Sequence, residues 1–240
     1  MNEQIVKLIN DYQPTQETIE IVKRVPKVFI VGIAGAGKNV MINQLLKTDK
    51  FHYIVSHVTR PPRENNGTLE KEGVEYHFIT MDQAFIMLEN HEFVEAKWVH
   101  RQNVYATSPK EFTDCESEGK VAIADIDVAG VEEYMKISPE TTKPIFILPP
   151  DFSTWQQRFK SRYEGRLGEG EFQRRMFTAA QEIEQVLSKN YYSIIINDDL
   201  DDAVTQVLSI ANGEPQPDSA WRHGSKVAHQ LLEAMRTSTR

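Results

Sequence analysis

Seven residues, Gly32-Ile33-Ala34-Gly35-Ala36-Gly37-Lys38, have the spacing G-x-x-x-x-G-K. Glycines so placed let successive backbone N–H groups converge on phosphate oxygens, the helix start behind them adds its positive pole, and Lys38 reaches β- and γ-phosphates. That is chemistry for a nucleoside triphosphate such as ATP. Asn39 follows, where such loops carry a serine or threonine hydroxyl for Mg²⁺, so an amide oxygen must bind the ion directly or through water, or leave it to phosphates and solvent. A second group is Arg60 and Arg63 around Pro61-Pro62: two planar guanidinium forks on one turn that match a dianionic phosphate, although alone they would read as surface arginines. Carboxylates form the third. Glu95 follows "EFV", and Asp127 ends "VAIADID" with Asp125 two residues earlier on the same face.

Elements must position these groups. "KVFIVGI" before the glycines reads as a buried strand and "NVMINQLL" after them as a helix. "FHYIVSHVT", "EFVEAKWVH", "KVAIADID", "KPIFILPP" and "YYSIIIND" read as further strands. Helices fall between them at "DQAFIMLEN", capped by Asp82, at "PKEFTDCESEG", over 152 to about 189, and at "LDDAVTQVLSIAN". Alternating strands and helices predict an α/β fold with a mainly parallel central sheet flanked by helices. Ligands of such sheets sit at the carboxyl ends of strands, where Asp125 and Asp127 fall. Residues 1–26 are expected to be a helical extension, Ile5, Leu8, Ile9 and Tyr12 recurring at helical spacing. After a linker-like "NGEPQPDS", a final helix has Ala228, Leu231, Leu232 and Met235 on one face.

At 240 residues and 40% hydrophobic the chain can bury a sizeable core, and its formal charge of −8 argues against a broad nucleic-acid or membrane surface. Cys115 is the only cysteine, which excludes an internal disulfide and fits a reducing compartment. The opening "MNEQIVKLINDY" has charges where a signal peptide needs an apolar run. A cytoplasmic location is expected.

Many folds carry such a loop, so the rest of the sequence must narrow the function. Together "VSHVTRPPR", "EKEGVEYHF", "EFVEAKWVHRQNVYATS", "IADIDVAGV" and "INDDL" resemble the guanylate kinase family, in the family's order over roughly 28–210. The resemblance implies a P-loop kinase with a core (27–211 in all), a small GMP-binding subdomain at about 57–109 and a helical lid at about 152–178. It implies γ-phosphoryl transfer from ATP to GMP with Mg²⁺. Residue by residue, it places the GMP phosphate on Ser56, Arg60, Arg63, Tyr76 and Tyr105, and guanine on Glu95, Thr107 and Asp127. Carboxylates accept from the N1–H and N2–H₂ edge that adenine lacks. Asp125 matches an acidic residue near the metal and phosphates. Arg158, Arg162 and Arg175 match lid and core arginines, each of which could instead pair along its helix with Glu164 or Glu169. Asn197 and Asp198 match a contact at the adenine end of ATP. The sequence departs from the family at Asn39, at His57 and Val58 where hydroxyls are common, at Ala106 where glycine is typical, and in a longer 63–76 loop. Two other readings stand beside the kinase: a non-catalytic module that turns the GMP groove to a protein partner, and a kinase for another phosphorylated molecule, against which Glu95 and Asp127 argue.

Overall fold

Val28-Phe29-Ile30-Val31 is a β-branched and aromatic run, and all six residues of the strand it forms, β1 (Lys27–Gly32), are buried. The computed structural model of the chain describes residues 2–65, 67–99, 101–163 and 169–238. Helices α1 (Asn2–Asn10) and α2 (Gln16–Arg24) precede β1, and α3 (Lys38–Leu46) follows it. Five short strands come next: β2 (Phe51–Tyr53), β3 (His57–Val58), β4 (Glu64–Asn65), β5 (Thr68–Leu69) and β6 (His77–Phe78). Helix α4 (Met81–Glu89) leads to strands β7 (Glu95–Val99) and β8 (Asn103–Thr107), then α5 (Pro109–Ser117), β9 (Val121–Asp125) and α6 (Val128–Ile137). Strand β10 (Thr142–Leu148), helices α7 (Phe152–Tyr163) and α8 (Glu169–Leu187), β11 (Ser193–Ile196), α9 (Leu200–Ala211) and α10 (Asp218–Thr237) complete the order.

The chain partitions into two units. One comprises Lys27–Phe51, Ile123–Met135 and Thr142–Arg240. Its sheet runs β11-β10-β1-β9-β2, with β10 parallel to both neighbours; Ile30 stands beside Ile145 and Phe146 beside Ile194. At the end of β1 only glycine fits: Gly32 has φ +151°, and a Cβ there would lie 2.4 Å from the Ile147 carbonyl oxygen. Helix α10 buries Ala228, Leu231, Leu232 and Met235, the face its sequence marked out, and Val227 beside them. In the segment before it, the Gln216 amide donates to the Ile194 carbonyl (2.6 Å) and accepts from the Ile194 N–H (3.0 Å), closing the edge of β11 as a strand would.

The other unit comprises Met1–Pro26, His52–Ala122 and Lys136–Thr141. Its sheet runs β6-β3-β8-β7, parallel between β3 and β6 and antiparallel at β3–β8 and β7–β8. Ile5, Ala84, Leu88, Phe93, Val104 and Ala106 form its core, with Leu8, Ile9 and Tyr12 packed against them.

Local structure departs from the sequence expectations in three places. "FHYIVSHVT" is not one strand: β2 and β3 are separated because the Val55 N–H bonds the Glu111 carboxylate (2.8 Å) instead of a neighbouring strand. The cap of α4 is Thr80, which forms a capping box with Gln83, and Asp82 lies in the first turn. Of the stretch expected to be helical over 152 to about 189, helices are described over Phe152–Tyr163 and Glu169–Leu187, and residues 164–168 lie outside the described residues. The strand expected to reach Asp127 stops at Asp125, because the Asp127 carboxylate accepts the Gly130 N–H (2.6 Å) and turns the chain into α6.

Candidate active site

Strand β1 delivers the chain to Gly32, and α3 begins at Lys38 on Gly37, an N-cap at φ +93° with no capping side chain. The first-turn N–H groups of α3 therefore face outward for an anion. Gly37 also admits a close neighbour: a Cβ there would lie 2.3 Å from Asn197 Nδ2. Buried Asn197, at the end of β11, donates that amide to the Ala36 carbonyl (2.8 Å), while its own carbonyl accepts from the Arg158 guanidinium (2.7 Å). Trp155 of α7, fully buried, donates its indole N–H to the Ala34 carbonyl (2.8 Å). The loop is thus tied from two directions.

Lys38 donates Nζ to the Gly32 carbonyl (2.6 Å) and lies 3.8 Å from the Asp125 carboxylate. Asn39 is exposed on the first turn of α3, and Asp198 is exposed beyond β11. Arg175 pairs along its helix with Glu171 (3.0 Å). The side chains of Arg162, Glu164 and Glu169 lie outside the described residues.

Glu182, on α8, was not singled out by the sequence. Burial lifts its pKa from 4.5 to about 7; Lys38 and Arg175 oppose the rise, and Asp127 and Asp125 add to it. A helical "QEIEQV" gives no sign of this, because the carboxylates that crowd Glu182 come from β9 and the loop after it. The folded protein holds this proton more tightly than the unfolded chain, so the stabilisation is complete below pH 4.5 and lost as pH rises through about 7. Glu182→Gln is expected to flatten the fall in stability across that window, as measured by urea midpoints against pH.

In the other unit, Arg60 is buried at 6% exposure, its charge opposed by that burial yet sustained by hydrogen bonds to Glu70 and Tyr105, which hold its pKa above the ordinary value. Its Nε donates to the Tyr105 hydroxyl (3.0 Å), its Nη1 to the Pro61 carbonyl (3.0 Å) and to Glu70 Oε2 (2.5 Å), and its Nη2 to Glu70 Oε1 (3.0 Å). The Tyr76 ring lies under the guanidinium at 4.8 Å and meets Tyr105 edge-on at 5.8 Å. Glu70 also accepts the Arg63 backbone N–H (2.8 Å), while the Arg63 side chain is exposed. Sequence reasoning passed over Glu70. The signal was an acid ten residues from Arg60 within the long 63–76 loop, but only the folded loop brings the two together.

The β7–β8 register sets Glu95 opposite Thr107, and the Thr107 hydroxyl donates to Glu95 Oε1 (2.9 Å). A slip of one residue would turn both away. Tyr105 and Thr107 alternate onto one face of β8 about 7 Å apart. Ser56 joins this unit through its backbone carbonyl, which accepts the His77 N–H (2.9 Å). Asp127 belongs to the unit that carries the loop, where its carboxylate caps α6.

One unit therefore presents a backbone cradle with lysine and arginine charge; the other presents a buried guanidinium among phenols, and a carboxylate–hydroxyl pair. The family model described as guanylate kinase matches residues 24–214. The chain is 35% identical over 187 residues to the guanylate kinase of Schizosaccharomyces pombe, covering 76% of this chain and 88% of that protein. It is 34% identical over 186 residues to the guanylate kinase of Desulfotalea psychrophila, covering 77% and 87%. The crystal structure of guanylate kinase from Anaplasma phagocytophilum shares the fold, with a TM-score of 0.57 at 24% identity over 81% of this chain and 88% of that one. By sequence over most of its length and by fold, the chain belongs to the guanylate kinase family.

Proposed function

We propose that the chain transfers the γ-phosphoryl group of ATP to GMP, giving ADP and GDP. The observation that carries this is strand β8, which bears Tyr105 beside the Arg60 guanidinium and Thr107 beside Glu95, so one strand face offers groups for a phosphate and for a guanine edge at nucleotide spacing. In this reading Gly32 to Lys38 cradle the ATP phosphates, with Asn197 and Asp198 toward the adenine. Ser56, Arg60, Arg63, Tyr76 and Tyr105 hold the GMP phosphate; Glu95, Thr107 and Asp127 read the base. A GMP phosphate oxygen attacks the γ-phosphorus in line, a new P–O bond forms as the bond to the β–γ bridging oxygen breaks, and ADP leaves. The attacking phosphate is already ionised and needs no base. Catalysis is then positioning and charge stabilisation, supplied by Lys38, Arg158, Arg162 and Arg175.

Mg²⁺ accompanies ATP in this reading, and the side chains fit it: exposed Asn39 and the partly exposed Asp125 carboxylate offer only oxygen donors. Asn39 would hold the ion, with Asp125 acting indirectly, and the ion would neutralise phosphate charge. We assign residues 1–26 to an N-terminal extension, about 152–178 to the lid and 212–240 to a C-terminal appendage. No helix among the described residues is long and apolar enough to cross a membrane. In this reading the chain works in the cytoplasm, a reducing compartment that suits its single buried cysteine.

A coupled assay of ADP and GDP formation from ATP, Mg²⁺ and GMP, with AMP and UMP as controls, tests the proposal; turnover no faster with GMP than with AMP sinks it. In the same assay Asn39→Ser is expected to raise kcat several-fold with KM for GMP unchanged. An unchanged kcat would mean that the amide serves the metal as well as a hydroxyl.

A further inference from the structure

Helix α1 lies wholly outside residues 24–214, the span matched by the family model, yet it belongs to the unit that carries Arg60 and Glu95. Ile5 is fully buried in that unit's core, and Leu8, Ile9 and Tyr12 pack on the same cluster. Just past α1, the Tyr12 hydroxyl donates to the Phe93 carbonyl (2.6 Å) and accepts from the Phe93 N–H (2.8 Å). Both backbone groups of one residue are thereby satisfied by a single phenol. Phe93 is fully buried, so no water would replace that partner. The contact is reinforced alongside: His91 Nδ1 lies 2.8 Å from the Gln13 carbonyl, and the Tyr12 and His91 rings are 5.6 Å apart.

Phe93 stands where the hairpin ladder runs out. The Val94 N–H still reaches the Thr107 carbonyl (2.7 Å), and Glu95 is the first residue of β7, paired with Thr107. Tyr12 therefore continues the pairing one residue beyond the ladder, two residues before Glu95. Side-chain direction along a strand follows from the backbone dihedrals just before it, so a pinned Phe93 fixes where Glu95 points. Burial, opposed by the Phe93 N–H and aided by Glu92 and Glu95, lifts the Tyr12 pKa to about 12, which keeps the donor proton in place.

We infer that Tyr12 is a positioning residue for guanine recognition: the N-terminal helix supplies the hydroxyl that aims Glu95 at the base. The inference rests on the proposed role of Glu95 in GMP binding. Steady-state kinetics of Tyr12→Phe, with GMP and ATP varied separately, test it. KM for GMP is expected to rise about fivefold, with kcat and KM for ATP within about twofold of the parent. The preference for GMP over IMP, which lacks the 2-amino group, should narrow because a misaimed carboxylate discriminates less. Val22→Ala, at a buried position of α2 outside the cluster that holds Phe93, lowers stability and is the control. An unchanged KM for GMP in Tyr12→Phe overturns the inference, as does an equal rise in Val22→Ala or an equal rise in KM for ATP. A wild-type chain that does not turn over GMP removes the reading beneath the inference and the inference with it. Hydrogen exchange of the wild-type Phe93 amide gives a readout independent of any variant: protection matching the Val94 amide is expected, and fast exchange at Phe93 alone overturns the inference.

Discussion

Replacing Arg60 by alanine should raise KM for GMP by about 10² to 10³-fold, the range expected when one partner of a desolvated charge contact is truncated, while KM for ATP stays where it was. The same change should lower stability, because Glu70, at 7% side-chain exposure, would be left as a buried carboxylate without its guanidinium. Breaking a buried pair from one side costs about 3–5 kcal/mol. Those two consequences separate in a double variant. Arg60→Ala with Glu70→Ala removes both charges, so stability should recover toward the parent while GMP affinity does not. Urea denaturation of the single and double variants beside their GMP kinetics makes the comparison. If affinity returned with stability, Arg60 would be a structural group and not a phosphate ligand.

Lys38→Ala should produce the mirror image. Loss of one cation aimed at charge that develops in the transition state lowers kcat by about 10² to 10³-fold, with GMP binding untouched. Little stability should be lost, since Lys38 makes one hydrogen bond to the Gly32 carbonyl and stands 3.8 Å from Asp125. A second readout comes from Glu182, whose pKa Lys38 holds down. Without the ammonium that pKa should climb further, and the pH window in which stability falls should move upward with it. An unaltered kcat would remove Lys38 from the chemistry; an unaltered pH profile would remove it from the neighbourhood of Glu182.

The features legible in the sequence were those whose cause is local. The loop is written in seven consecutive residues and the strand and helix around them, and β1 announces itself by β-branched and aromatic residues that have no exposed face. The apolar faces of α1 and α10 follow from helical spacing alone. What escaped depended on partners distant in the chain. Nothing in "FHYIVSHVT" marks a break, since Ile54 and Val55 are as apolar and as buried as strand residues; the break is made by Glu111. Strand β8 is a strand because β7 and β3 flank it, and "NVYAT" by itself shows little. Thr80 outcompetes Asp82 as a cap because Gln83 returns a hydrogen bond to it. Glu70 gained its place only when its loop folded back on Arg60, and the pairing of Arg175 with Glu171 was one of several that helical spacing allowed.

The hydrogen bond from Trp155 to the Ala34 carbonyl has an optical consequence. Of the three tryptophans, Trp155 is fully buried, stacked on Phe152 at 5.5 Å and flanked by Phe159 and Phe172, whereas Trp98 is half-buried and Trp221 is exposed. An indole in such a setting emits to the blue of one in water, and its quantum yield depends on the carbonyl that its N–H touches. That carbonyl belongs to the third residue of the glycine loop. The blue edge of the intrinsic fluorescence is thus a label already installed on the glycine loop, separable by wavelength from the emission of Trp221.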